Sequence, residues 1–255
     1  MDINRRKFLK VSGVFTLGLG LLPLGNALAS NKKVKYAPNP KALKAKNWAM
    51  VVDMNKLESE LDECISACHK THNVPDIGNK KEEVKWIWTD SFESLFHDIE
   101  HGHLTGKIRH KNFLALCNHC ENPACVRVCP TKATFKSNDG IVMMDFHRCI
   151  GCRYCMAACP YGARSFNFKD PRPYLKEINP KYPTRTKGVV EKCNFCSERL
   201  AEGLLPACVE ASKNGGLVFG DLDDPNSEVR KILDSQYTIQ RSYSFGTKPK
   251  VFYIV

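Results

Sequence analysis

Short apolar runs punctuate a chain that is otherwise mixed and polar. Trp48 to Asp53 (WAMVVD) and Ile141 to Asp145 (IVMMD) read as strands, each leading into a cysteine-bearing segment. This repeat of strand and cysteine loop is an internal duplication. Phe166 to Phe168 and Leu217 to Phe219 read as returning strands, and Lys250 to Val255 as a final one. Ser227 to Ser235 reads as a short helix with Asn226 as its N-cap. Residues 76–111 carry Trp86, Trp88, Phe92, Phe96, His97, His101 and His103. They read as a partly helical surface insertion with aromatic packing, although His97 and His101 stand at i, i+4 and could hold a metal. Residues 168–188, with Pro171, Pro173, Pro180 and Pro183, read as an ordered loop packed over a neighbouring lobe.

The longest apolar run is N-terminal. Arg5 and Arg6 precede an apolar stretch from Val11 to Leu24, followed by Ala27-Leu28-Ala29. Residues 1–29 therefore read as a twin-arginine signal peptide with a small-residue cleavage site. The stretch is shorter than the span of about 20 residues that a membrane helix needs. Gly18, Gly20 and Pro23 interrupt it, which favours cleavage over retention as an anchor. Residues 30–46 read as a basic linker. The mature chain is expected to be extracytoplasmic, exported folded, with membrane contact only through partners.

Cysteine spacing supplies the chemistry. Cys149, Cys152, Cys155 and Cys159 read C-x2-C-x2-C-x3-C, followed by Pro160. In the bacterial ferredoxin run with this spacing, the fourth cysteine ligates the other cluster of a pair. Cys117, Cys120, Cys125 and Cys129 form a partner run with a longer third step, followed by Pro130. Exchange of fourth ligands predicts one [4Fe–4S] set of Cys117, Cys120, Cys125 and Cys159, and another of Cys129, Cys149, Cys152 and Cys155. Four cysteines in one tight run with a trailing proline argue against zinc. A chain of this size has no need of a disulfide scaffold.

The remaining cysteines form an incomplete second pair. Cys193, Cys196 and Cys208 are followed by Ser212, where a fourth ligand belongs, while Cys64 and Cys68 match the last two positions of an upstream run. Counting back from Cys64 gives Leu61 and Glu58, or Leu57 if the loop is one residue longer. The exchange rule then completes a third cluster from Cys68, Cys193, Cys196 and Cys208. The fourth site keeps only Cys64. Three random losses among sixteen ligand positions would fall in a single site in roughly 3% of cases, so the pattern reads as deletion of one cluster. Three [4Fe–4S] clusters are expected, with Cys64 a spare thiol.

Net charge is +11, of which the signal segment contributes +3. The bland reading is a solvated basic surface that partly offsets cluster and thiolate charge. Scattered basic residues without a recognition motif argue against nucleic-acid binding. No residue pattern points to an acid, a base or a nucleophile, and no nucleotide-binding glycine motif is present. Arg127, Arg153 and Lys192 are candidate tuners of the clusters.

The segments CNHCENPACVRVCP, CIGCRYCMAACPYGAR, KCNFCSERL and FGDLDDPNSEV resemble the four-cluster ferredoxin subunits of molybdopterin oxidoreductase complexes. The resemblance covers nearly all of residues 47–255. It implies an α+β chain of tandem bacterial-type ferredoxin folds with insertions. An outer lobe would comprise residues 47–75 and 189–255, and an inner lobe residues 112–168. It also implies a wire of clusters running toward a membrane subunit that handles quinone. The chain departs from the family at the end that would face a molybdopterin subunit. The signal, the CISACHKTHNVP segment and the reduced first run look most similar to the DsrO group, the extracytoplasmic ferredoxin subunits of DsrMKJOP (Hme-type) membrane complexes. That likeness implies a multihaem cytochrome c partner, an NrfD-like quinone-interacting membrane partner and a link to dissimilatory sulfite reduction. Two rivals stand beside it: the electron-transfer subunit of an exported molybdopterin oxidoreductase, and a stand-alone redox-sensing or structural cluster protein.

Overall fold

The computed structural model describes residues 39–99, 106–109 and 111–255. The expected signal peptide, residues 30–38 of the linker, His101 and His103 lie outside the described residues. The described end of the linker is tied down. Leu43 N–H donates to Leu200 O at 2.9 Å, and the amides of Lys46 and Asn47 donate to the Asp221 carboxylate.

Strand β1 (Trp48–Asp53) is buried along its whole length. Successive side chains point to opposite faces. Trp48, Met50 and Val52 enter the main core, whereas Ala49 and Val51 enter a smaller one around Val229. Strands β2 (Ile87–Ser91) and β3 (Asn112–Leu116) form an antiparallel pair, as do β4 (Thr134–Lys136) with β5 (Val142–Met144) and β6 (Ser165–Phe166) with β7 (Val190–Glu191). Strand β8 (Leu217–Asp221) runs antiparallel to β1, and β9 (Val251–Ile254) lies parallel on its other side. The result is an α+β architecture of small sheets and mostly short helices.

The Glu228–Ser235 helix covers the second face of β1 through Val229, Ile232 and Leu233. Its N-cap is Ser227, not Asn226: Ser227 Oγ accepts from Arg230 N–H at 3.2 Å. A hydroxyl at this position satisfies one of the orphan amides of the first turn.

The aromatic insertion is core rather than surface. Phe92, Phe96 and Phe113 pack on one another, and Phe96 meets Tyr253 edge-on at 5.2 Å. His97 stays exposed beside Phe245. The proline-rich loop ends in a buried knot. Arg185 pairs with Glu191 at 2.6 Å and donates to the carbonyls of His72 and Asn73. Glu191 also accepts from Trp86 Nε1 at 2.9 Å and from Asn167 Nδ2. A buried ion pair survives when its remaining polar atoms are hydrogen-bonded, and this carboxylate has partners on both oxygens.

Candidate iron–sulfur centres

The C-x2-C loops that open at Cys117, Cys149 and Cys193 share one backbone feature. Their penultimate residue lies in the left-handed region: His119 at φ 41°, Gly151 at φ 69° and Phe195 at φ 53°. Only Gly151 adopts it without steric cost, so the surrounding fold must hold the other two. A second left-handed residue follows three positions after Cys129 (Lys132), Cys159 (Gly162) and Ser212 (Gly215). Ser212 thus occupies the same backbone position as two expected fourth ligands.

The loops bring the cysteines together in sets. Cys117, Cys120, Cys125 and Cys159 line one cavity, which also holds Tyr161 and Arg164. Cys129, Cys149, Cys152 and Cys155 line a second, beside Met144 and Val190. Cys68 faces Cys193, Cys208 and Cys196 in the interior. Burial first, and then those three sulfurs, hold the Cys68 thiol well above its ordinary range. Burial and then Cys117 push Cys120 up to about 12. Four thiols that converge in one place form the soft donor set that iron–sulfur ligation requires. Backbone amides already aim at the sulfurs: Thr134 N–H at Cys129 (3.5 Å), Phe195 N–H at Cys193 and Ala207 N–H at Cys196 (both 3.4 Å). Such hydrogen bonds stabilise sulfur that carries negative charge.

At the fourth site the backbone takes another course. Residues 54–71 run through short helices into the Leu61–Thr71 helix, where the other runs have a left-handed loop. Leu57 is fully buried, and a Cβ built on Gly216 would lie 2.9 Å from the Leu57 Cβ. Ser212 Oγ donates to Glu60 Oε2 at 3.0 Å and accepts from the amides of Gly216 and Leu217. Glu60 also accepts from Asn214 N–H at 3.0 Å. Glu58, counted as a ligand position in the sequence, faces outward and pairs with Lys111 at 3.4 Å. Cys64 is completely buried; burial, then Glu60 and Glu63, push its thiol up to about 12. Leu57 thus packs against Gly216, and Glu60 against Ser212, at the positions counted as the fourth ligand set.

Known proteins resemble this chain. Residues 109–222 match the family model of the 4Fe-4S dicluster domain. The chain is 42% identical to the Hdr-like menaquinol oxidoreductase iron-sulfur subunit 1 of Archaeoglobus fulgidus, over 98% of this chain and 97% of that protein. It is 35% identical to the iron-sulfur cluster-binding subunit of menaquinone reductase from Nitratidesulfovibrio vulgaris, over 81% and 88% of the two chains. With the arsenate respiratory reductase iron-sulfur subunit ArrB of Shewanella sp. strain ANA-3 it shares 35%, over 80% and 94%. The chain belongs to this family of oxidoreductase iron–sulfur subunits.

As a member of that family it is an electron-transfer subunit that carries [4Fe–4S] clusters. When bound, these supply one-electron redox chemistry; the chain's own groups set their surroundings. Of the three tuners expected from sequence, Arg127 and Arg153 are exposed, whereas Lys192 is buried and donates to the carbonyls of Val142 and Cys193. The structure adds three further groups. His72 is buried beside Cys68, stacks on Trp86 at 4.4 Å and pairs with Glu198 at 2.7 Å. His119 stacks on Phe195 at 3.7 Å, which joins the Cys117–Cys120 loop to the Cys193–Cys196 loop. Arg164 is buried against the first cavity. His119 stands within the Cys117–Cys120 loop, His72 four residues after Cys68 and Arg164 five after Cys159, so the sequence places them near sulfur; their burial and their partners are what the fold adds.

Proposed function

We propose that this chain relays electrons through three [4Fe–4S] clusters between a multihaem cytochrome c and an NrfD-like quinone-interacting membrane subunit. The ligand sets are Cys68, Cys193, Cys196 and Cys208; Cys117, Cys120, Cys125 and Cys159; and Cys129, Cys149, Cys152 and Cys155. The two inner sets belong to residues 112–168 and the third to an outer lobe built from residues 47–75 and 189–255, as tandem ferredoxin folds. The observation that carries the reading is the filled fourth site, where Leu57, Glu60 and Ser212 stand in place of a cluster. A wire without that terminal cluster suits a partner that brings its own redox centre close to the Cys68 set. Two relatives named for menaquinol or menaquinone support a quinone partner. Among the described residues no helix is long and apolar enough to cross a membrane, so that partner supplies the membrane contact. Residues 1–29 act as a twin-arginine export signal, which places the mature chain on the extracytoplasmic side. The complex serves dissimilatory sulfite or sulfate reduction.

The likeness to the iron–sulfur subunit of a respiratory arsenate reductase favours a second reading, the electron-transfer subunit of an exported molybdopterin oxidoreductase. Purification of the native complex separates the two. The first reading expects about 12 iron per chain, haem c and no molybdenum or tungsten. Stoichiometric molybdenum or tungsten without haem c would establish the second.

A further inference from the structure

Arg164 is a cation in an unusual position. It is 5% exposed and takes part in none of the ion pairs among the described residues. Its Nη1 donates to Thr134 Oγ1 at 3.2 Å and approaches Met144 Sδ at 3.9 Å. Thr134 and Met144 are register partners across β4 and β5, and Met144 lines the cavity of the Cys129 set. Arg164 itself lines the cavity of the Cys117 set. Its Nη2 is buried without an ordinary hydrogen bond. A guanidinium sealed from water without a carboxylate is costly, of the order of several kcal/mol, unless another anion faces it. Burial opposes its charge, and the groups that favour it are sulfurs, Cys125 foremost, then Cys155 and Cys117. Cys125 belongs to one proposed ligand set and Cys155 to the other.

We propose that Arg164 is a single buried cation shared by the two inner clusters, facing one ligand sulfur of each and raising both reduction potentials together. This rests on the ligand sets proposed above. Reduction adds an electron to a centre already made anionic by four thiolates. A fixed positive charge on the boundary between two such centres favours the reduced form of both, and the low dielectric of the interior preserves the effect. Thr134 positions the guanidinium from the strand side. The Cys68 set is outside this arrangement, because Arg164 lines the cavity of the Cys117 set and meets Met144 at the cavity of the Cys129 set.

The test is a redox titration followed by electron paramagnetic resonance on the anaerobically purified full chain. Iron is assayed in every sample, and Cys68→Ala identifies the signal of the outer cluster. Wild-type iron near 12 per chain checks the ligand reading by itself; another value overturns that reading, whatever Arg164 does. With iron retained, Arg164→Met is expected to shift both inner reduction equilibria at least tenfold toward the oxidised form, ~59 mV lower for a one-electron couple. The outer potential stays put, and Arg164→Lys recovers part of the shift. Full iron with no shift, a shift in only one inner cluster, or an equal shift in all three would overturn the proposal. Loss of iron in Arg164→Met with full iron in Arg164→Lys supports it, since the charge is then what the clusters require. Loss in both variants overturns it, because shape rather than charge is then the contribution of Arg164.

Discussion

Cys64 and Cys68 stand one turn apart on the same helix and are both buried, yet they face different surroundings. Cys68 looks into three other sulfurs, whereas Cys64 has one sulfur neighbour, Cys208, beside the carboxylates of Glu60 and Glu63. A cubane takes four thiolates, so Cys68, with three sulfur companions, is equipped to be a ligand and Cys64, with one, is not. Cys68→Ala is expected to lower iron by about four per chain. Cys64→Ala leaves iron and spectra unchanged and costs about 1 kcal/mol for the small cavity. Iron assay and denaturant unfolding of the two variants check this pair of outcomes, and equal iron loss in both would refute it. At this scale the sequence is informative for cysteines and silent on how their neighbours pack. A thiolate run has a fixed spacing because one loop must wrap one cluster. His119 lies inside the Cys117–Cys120 loop and His72 one turn after Cys68, so sequence places both near sulfur, but their burial and their aromatic partners come from tertiary packing, as does the reach of Arg164 to Thr134.

Among the elements, a strand is legible where its residues are apolar and buried, and illegible where polar chemistry or tertiary contact decides. β1 matches its expected bounds, Trp48–Asp53. The helix near the C-terminus lies where its pattern places it, but Ser227 caps it because its hydroxyl reaches Arg230 N–H. The aromatic insertion reads as surface because its helical signal is weak; Phe92, Phe96 and Trp86 are in fact buried in the main core. The segment before Cys64 is the most instructive. Deprived of its cysteines, it winds into helix and seals the site through Leu57 and Glu60. Restoring one ligand cannot reopen it. Ser212→Cys is therefore expected to leave iron at about 12 per chain and to weaken the fold by ~1 kcal/mol through the lost Glu60 hydrogen bond. A gain of about four iron would show that the site still accepts a cluster. The loop knot makes an opposite kind of prediction. Glu191→Ala leaves Arg185 as a buried, unpaired charge and frees Trp86 and Asn167 of their acceptor. Destabilisation of ~3–5 kcal/mol is expected, against little or none for the exposed pair Arg172–Asp170. Denaturant midpoints of Glu191→Ala and Asp170→Ala compare the two directly.

On the scale of the whole molecule, the cysteine sets differ in their access to solvent. Cys68, Cys193, Cys196 and Cys208 are all buried, whereas Cys152 is exposed. The residues flanking Cys152 are apolar and open to solvent: Ile150 is 66% exposed and Tyr154 63%. Val128, next to Cys129, and Phe168, beneath Arg153, are exposed as well. Single apolar residues on a surface are ordinary, but a group of them about an exposed ligand thiol marks an interaction site. Arg153 lies over the rings of Phe166 and Phe168, so the patch carries a charge at its margin. An apolar centre with a polar rim is typical of a protein interface. Electron transfer also needs a short path, so the partner that covers this surface gains direct access to the Cys129, Cys149, Cys152 and Cys155 set. In the proposed complex this partner is the quinone-interacting membrane subunit. Ile150 and Tyr154 supply no ligand sulfur and lie mostly in solvent, so their replacement should spare the cluster. The double variant Ile150→Asp, Tyr154→Asp is expected to keep about 12 iron per chain yet hold the membrane partner at least ~30-fold more weakly, the consequence of losing about 2 kcal/mol at the centre of an interface. Affinity purification from detergent-solubilised membranes measures the loss. Full recovery of the membrane partner with the variant would place the contact on another face, and iron loss alone would assign these residues to cluster assembly instead.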